Sequence, residues 1–198
     1  MSGDFAGAVM AILIGLGLSA ACGFRIFVPL LVAAIAAKAG HLQLAAGWDW
    51  IGSTTAIVAF SIATALEIAA YYVPWLDNLL DTVATPAAVV AGILITAGVA
   101  GDVSPLLRWS LAVIVGGGAA GLVQVGTAAV RATSTATTAG TANPAVSTAE
   151  AGFSLSLSLL AVIVPIVAAV IVILMLFMAL RFFYRLFTGR RRRMEPVP

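Results

Sequence analysis

Long apolar runs alternate with short polar breaks along this chain. The first run extends from Phe5 to about Ala39, too long for one straight crossing of a hydrocarbon core. It is interrupted at Cys22-Gly23-Phe24-Arg25, and Pro29 follows. Glycine is conformationally permissive and proline lacks a backbone donor, so a kink or break is expected there. Two geometries fit: one broken crossing, or a re-entrant hairpin followed by a short helix. Unwound backbone at membrane depth must be buried in protein or line a wet cavity.

Gly40 to Ser53 reads as a loop, with Trp48 and Trp50 flanking Asp49 as interfacial anchors. A second run spans about Thr54 to Tyr72 and carries Glu67 well inside it; Tyr71, Tyr72, Pro74 and Trp75 mark an interface. Trp75 to Thr85 is a short acidic stretch with Asp77, Asn78 and Asp81. Pro86 is expected to open the third run, since proline suits a first helical turn, and that run ends near Gly101-Asp102. Ser104-Pro105 restarts the chain into a fourth run that reaches about Arg131. Ala132 to Ser147 is rich in Thr, Ala and Ser, with Asn143-Pro144 near its end. By composition it is a polar linker; the alternative is a re-entrant loop whose hydroxyls face a pathway. The fifth run, Gly152 to Phe187, would measure roughly 54 Å as one helix, against a core of roughly 30 Å. Its end should leave the membrane as a basic helix.

The pattern therefore predicts an all-α, polytopic transmembrane helix bundle of five to six membrane segments with a broken or re-entrant first helix. Residues 1–188 form one domain and 189–198 a basic cytoplasmic tail. Composition agrees. Of 198 residues, 62% are hydrophobic and only 9% charged, with mean hydropathy +1.13. An ordinary soluble domain carries about 25% charged residues, so this chain cannot cover a water-facing surface. Met1-Ser2-Gly3-Asp4 lacks the positive region of a cleavable signal, so the first run is expected to be retained.

The formal charge of +2 is a tail property, because Arg190, Arg191, Arg192 and Arg193 stand together. A nucleic-acid face would spread its basic residues over a folded surface, so no nucleic-acid partner is expected. The run is a topology signal that fixes a cytoplasmic C-terminus, and it can touch anionic lipid headgroups. Counting back through five crossings puts Asp77, Asp81 and the Thr-rich segment outside, with Lys38, Asp102 and Arg108 inside.

Candidate chemistry rests on charges inside apolar sequence, which cost about 2.5–3.5 kcal/mol each at a helix centre and usually pair within the bundle. They are Arg25, Glu67, Asp77, Asp81, Arg131 and Glu150. Asp77 and Asp81 share one helix face, with Asn78 beside them, and would repel unless a cation or proton lay between them. Arg25 is the natural partner of Glu67 or of that pair. Arg131 and Glu150 bracket the Thr-rich segment and could close it as a salt bridge; Thr137, Thr138 and Asn143 would then line it. Gly117 and Gly121 have the spacing of close helix packing. Cys22 and His41 are single, so one chain offers no disulfide and no His/Cys metal cluster. No nucleophile elbow, metalloprotease pair or phosphate loop occurs, so neither an enzyme nor a cofactor is expected.

These stretches resemble a family of bacterial integral membrane proteins, domain of unknown function 4126. The resemblance is carried by Ala20-Ala21-Cys22-Gly23-Phe24-Arg25, by Glu67, Tyr71-Tyr72, Pro74-Trp75, Asp77-Asn78-Leu79-Leu80-Asp81 and Ala84-Thr85-Pro86-Ala87, and by Ser134-Thr135-Ala136-Thr137-Thr138 with Asn143-Pro144. It covers nearly the whole chain. It implies a bacterial cytoplasmic membrane, carries no known activity, and implies that the polar stretches define the family.

The leading expectation is a small transporter or channel-like protein for an ion or small polar solute. Its site would be built from Arg25, Glu67, Asp77, Asn78, Asp81, Arg131, Thr137, Thr138, Asn143 and Glu150. One chain of this size would form a narrow pathway, which favours a homo-oligomer. The alternative is a membrane scaffold, or a lipid-organising or lipid-handling protein, whose buried charges are structural. Thr85-Pro86-Ala87 echoes Asn143-Pro144-Ala145, each before an apolar run, as an internal repeat would.

Overall fold

A computed structural model describes the backbone of residues 2–72, 74–101 and 103–191, and the side chains of 6–72, 83–101, 103–181, 184 and 185. The described residues are all-helical and contain no strand. In chain order the helices are α1 (Ser2–Cys22), α2 (Phe27–Lys38), α3 (Thr54–Ala70), α4 (Pro74–Val99), α5 (Pro105–Leu111), α6 (Gly118–Thr138), α7 (Asn143–Ile163) and α8 (Pro165–Arg191). A 3-10 turn, Asp49–Gly52, precedes α3, and a π-helical stretch, Ala112–Gly117, joins α5 to α6 in one rod. Local chemistry sets several starts. The Ser53 hydroxyl accepts from Ala56 N at 3.1 Å and caps α3. Ser104 caps α5, with Pro105 in its first turn. Two helices, Pro105–Thr138 and Asn143–Ile163, are long and apolar enough to cross a membrane.

The first apolar run is a hairpin. Glu67 near the end of α3 bonds the start of α2, while Lys38 at the end of α2 bonds Thr54 at the start of α3, so α2 and α3 are antiparallel. Beyond α2, Ala45 N donates to Gly98 O at 2.8 Å, and Trp48 lies on Gly98 at the far end of α4. That end of α4 also packs on Gly15, several turns before the end of α1. The chain therefore reverses between Cys22 and Phe27. A second hairpin points the other way. Gly17 packs on both Ala161 and Ala168, and residues 175–179 of α8 stand beside 146–153 of α7.

Four expectations are corrected here. The fifth apolar run is not one helix, because Val164 leaves helical geometry (φ −136°, ψ 70°) before Pro165 and the chain turns back. The end of α8 is thereby brought to the end of the bundle that holds the α6–α7 turn, where a single helix would have put the two at opposite ends. Pro86 does not open a helix but lies inside α4, which already begins at Pro74. Pro86 is thus not the structural counterpart of Pro144, which sits in the first turn of α7, and the internal echo has no structural basis. Finally, residues 132–147 are no linker. They complete α6 and begin α7 around a tight turn in which Ala139 and Gly140 take positive φ (51° and 84°).

The bundle has a core of mostly small apolar residues that also encloses several polar and charged side chains, and much of its outer surface is apolar. On α6 the buried face includes Gln124, Thr127 and Arg131, and on α7 it includes Ser147, Glu150, Ser154 and Ser158. Val125, Val130, Phe153, Leu155 and Leu159 of the same helices are exposed. On α3 Glu67 is buried, while Val58, Ile62 and Leu66 face out. Charged side chains buried while large apolar ones face out is not the usual placement in a water-soluble domain. Small residues let the inner backbones close up. A Cβ on Gly92 would stand 2.6 Å from Ala120 Cβ and 2.7 Å from Gly116 O, and a Cβ on Gly116 would collide with Gly92 O and Thr96. The tightest α4–α6 contact is thus at Gly92 and Gly116, beside the Gly117 and Gly121 spacing seen in the sequence.

Candidate functional site

The reversal between α1 and α2 creates two open helix ends inside protein. The last carbonyls of α1 and the first amides of α2 have no partners within their helices. Ala20 O accepts from Gly23 N and Ala21 O from Phe24 N and Arg25 N, and side chains from elsewhere in the chain supply further bonds at the break. Ser154 donates to Ala21 O at 3.0 Å, and Thr127 donates to Gly23 O at 3.4 Å. The Glu67 carboxylate accepts from Ile26 N at 2.7 Å and from Phe27 N at 3.0 Å. The helix dipole favours this placement: a carboxylate stands at the positive end of α2, and Arg25 follows the negative end of α1. Gly23 is required at the turn, because a Cβ there would lie 2.6 Å from both Ala120 O and Val123 Cβ.

Arg25 is 1% exposed and carries the centre of the site. Its Nη2 donates to Ser147 O at 2.9 Å and to Ser147 Oγ at 2.5 Å, and lies 3.3 Å from Glu150 Oε2. Glu150 is shared. Arg131 Nε donates to its Oε1 at 3.0 Å, and Arg131 Nη2 donates to its Oε2 in a fork. Both guanidinium carbons lie over the Tyr71 ring, at 3.9 Å for Arg25 and 4.0 Å for Arg131. Tyr71, Ser147, Arg131 and Glu150 are all buried. Among the described residues, Arg25 Nε and Nη1 have no hydrogen-bond partner. Tyr72, the next residue, shares a 2.7 Å hydrogen bond with Thr148.

Glu150 also forms part of the wall of a cleft of about 410 Å³ between α6, α7 and α8. Thr127 is the other polar group there; Phe24, Val130, Phe153 and Met175 represent the apolar remainder. The cluster thus has one carboxylate at its centre and an apolar route to it from the side of the bundle.

The family follows from the extent of a sequence match. Residues 12–185 fit the model described as Domain of unknown function (DUF4126). The chain belongs to that family. No curated protein and no solved structure matches it. In this DUF4126 protein, four of the residues singled out from sequence come together: Arg25, Glu67, Arg131 and Glu150. The Arg131–Glu150 bridge exists, but Arg25 reaches Glu150 and Ser147, whereas both Glu67 oxygens are taken by backbone amides.

Three residues do not join the cluster. Thr137 and Thr138 donate to carbonyls within α6, and Thr138 Oγ1 also accepts from Ala142 N. Asn143 donates to Thr135 across the turn. These hydrogen bonds lie within the α6–α7 turn and its flanking helices. Asp77, Asn78 and Asp81 belong to α4 by backbone, but their side chains lie outside the described residues, as do those of Arg190 to Arg193. Among the described residues no three His, Cys, Asp or Glu side chains gather as a metal site.

Tyr71 and Ser147 are the site residues that sequence reasoning missed. The signal was available. Tyr71 stands four residues after Glu67, and Ser147 three before Glu150, so each shares a helical face with a charged residue already chosen.

Proposed function

We propose that this DUF4126 protein is a multi-pass membrane protein of the bacterial cytoplasmic membrane. Its interior cluster around Tyr71 would bind an ion or a small polar solute and pass it through the bundle. The observation that carries the reading is Arg25, buried at a helix break with Nε and Nη1 unsatisfied among the described residues. Unsatisfied charge-bearing donors in an apolar interior are costly, so they mark a place where water or a polar solute is stabilised. Broken helices that present backbone ends near the centre of a bundle are how many transporters hold ions. Glu150 is then the exchangeable partner. It neutralises Arg25 and Arg131 in the empty site and releases a guanidinium when a solute or proton arrives.

The exposed apolar faces of α3, α7 and α8 support placement in lipid, because such continuous patches are not left in water. With the basic tail on the cytoplasmic side, the Gly23–Ile26 reversal and the α6–α7 turn belong to the cytoplasmic half. Reconstitution tests the function. Purified protein in liposomes should carry a flux of protons, monovalent cations or small anions, and Glu150→Gln should reduce it at least tenfold while remaining folded. A folded Glu150→Gln with unchanged flux, or a wild type with no flux for any of these, sinks the transport reading.

A scaffold role has its own supporting observation. Both oxygens of Glu67 are committed to α2, and both of Glu150 to arginines, so every described interior carboxylate acts as a clamp. On that reading neutral variants unfold and no flux exists in any of them.

A further inference from the structure

The α6–α7 hairpin is the segment whose composition most suggests water. Residues 132–149 hold seven Thr or Ser side chains beyond Ser147, and an aqueous linker is the plain reading of such a stretch. The geometry contradicts it. We propose that the exposed face of this hairpin, around Thr133, Ala136, Thr137 and Thr148, lies in the hydrocarbon of the bilayer. The proposal rests on the membrane-protein reading above and adds the partner of this one surface, lipid chains.

Three observations carry it. First, the surface has no charge to keep in water. From residue 109 to residue 180 the only charged residues are Arg131 and Glu150, and both are buried in the cluster. A surface that ends a long helical rod and meets water would ordinarily carry some Lys, Arg, Asp or Glu; a charge-free one complements hydrocarbon. Second, four hydroxyls of the exposed face and the turn bond back to their own helices. Thr133 donates to Ala129 O at 2.8 Å, Thr137 to Thr133 O at 2.8 Å, Thr138 to Ser134 O at 2.7 Å and Thr148 to Pro144 O at 2.8 Å. This back-bonding satisfies those four hydroxyl donors without water. Third, three backbone amides of the turn are bonded within it. Thr141 N and Asn143 N donate to Thr138 O and Gly140 O, and Ala142 N donates to the Thr138 hydroxyl. Amides bonded within the turn lower the cost of placing it in an apolar layer.

Placing this hairpin in lipid has a consequence for the site. Arg131 and Glu150 lie at its base, so they are held away from bulk water on the hairpin side, and the sideways cleft becomes a route from the bilayer itself.

The test uses spin labels in the full-length protein, reconstituted in lipid vesicles. Cys22 is buried and is the sole cysteine, so Cys22→Ala gives a clean background. Single substitutions Thr137→Cys and Ala136→Cys carry the label on the hairpin, and Ile173→Cys carries it on the exposed apolar face of α8. Collision with dissolved oxygen, which partitions into lipid, is compared with collision with a water-soluble nickel chelate. The hairpin labels should match Ile173→Cys, with oxygen collision at least threefold above nickel. Nickel collision dominating at the hairpin, while Ile173→Cys stays lipid-exposed, overturns the proposal and leaves the membrane reading intact. Low collision with both reagents also overturns it, since a second copy of the chain would then cover the face. Nickel collision dominating at Ile173→Cys as well would overturn the membrane reading itself. Having two hairpin positions keeps the test decisive if one variant fails to fold.

Discussion

Glu150→Gln perturbs the one group that holds the centre of the molecule together. The substitution keeps shape and one acceptor oxygen but removes the only described carboxylate that contacts Arg25 and Arg131. Two guanidiniums then remain over the Tyr71 ring, buried, with their shared counter-charge gone. Breaking a buried ion pair by removing one partner costs about 3–5 kcal/mol, because the other charge is left uncompensated. For a chain of this length each kcal/mol lowers a thermal midpoint by about 2–4 °C, so the expected fall is about 6–20 °C. The assay is thermal unfolding of the purified protein in detergent, followed by tryptophan fluorescence, with secondary structure checked by circular dichroism before heating. A second substitution supplies the internal control. Arg131→Gln added to Glu150→Gln removes one of the two guanidiniums, and the pair should couple favourably by about 0.5–3 kcal/mol relative to additivity. A fall under about 2 °C for Glu150→Gln, which corresponds to less than about 1 kcal/mol, would refute the reasoning and show that water already solvates the cluster.

Other outcomes follow from the same geometry. Glu67→Ala should destabilise by about 1.5–3 kcal/mol, the range for hydrogen bonds to a charged group, and hydrogen exchange should quicken at Ile26 and Phe27 in particular. Equal exchange there in mutant and wild type would show that Glu67 does not cap α2. Tyr71→Leu should cost about 1–4 kcal/mol, from two cation–ring contacts of about 0.5–2 kcal/mol each, as read by the thermal midpoint. A midpoint unchanged from wild type would mean that the ring is a bystander. Gly92→Ala should overpack the α4–α6 contact by about 1–3 kcal/mol, whereas Gly126→Ala, where a Cβ meets nothing within 4 Å, should be neutral or better. The reverse order would contradict the close approach at Gly92.

Much of the helical pattern was legible before any coordinates. The break at Cys22-Gly23-Phe24-Arg25 could be read because glycine followed by a charge in an apolar run has few other meanings. Arg131 and Glu150 could be read as a pair because they are the only charges in a long uncharged stretch. The turn at Val164-Pro165 was not legible, since a proline inside an apolar run is compatible with a kink as well as a reversal. The α6–α7 turn was misjudged for a related reason. Thr, Ala and Ser have loop-like composition, but threonine hydroxyls that bond back to their own helix let the helix continue through such a stretch, and where a hydroxyl points is decided by the fold.

The sequence by itself supplied the raw material: an apolar chain whose few interior charges have to pair, broken where glycine and proline interrupt the helices. Those are local properties, fixed by composition and by backbone chemistry at single positions. Only the tertiary structure decided which charges meet. Arg25 lies 122 residues from Ser147 in the chain, yet the two touch. That contact depends on two hairpins folding in opposite senses, and the direction of each reversal is set by packing between helices rather than by the residues at the turn. The same packing sends Glu67 to the amides of α2 instead of to Arg25, because an exposed helix end in an apolar interior competes for a carboxylate as strongly as a guanidinium does.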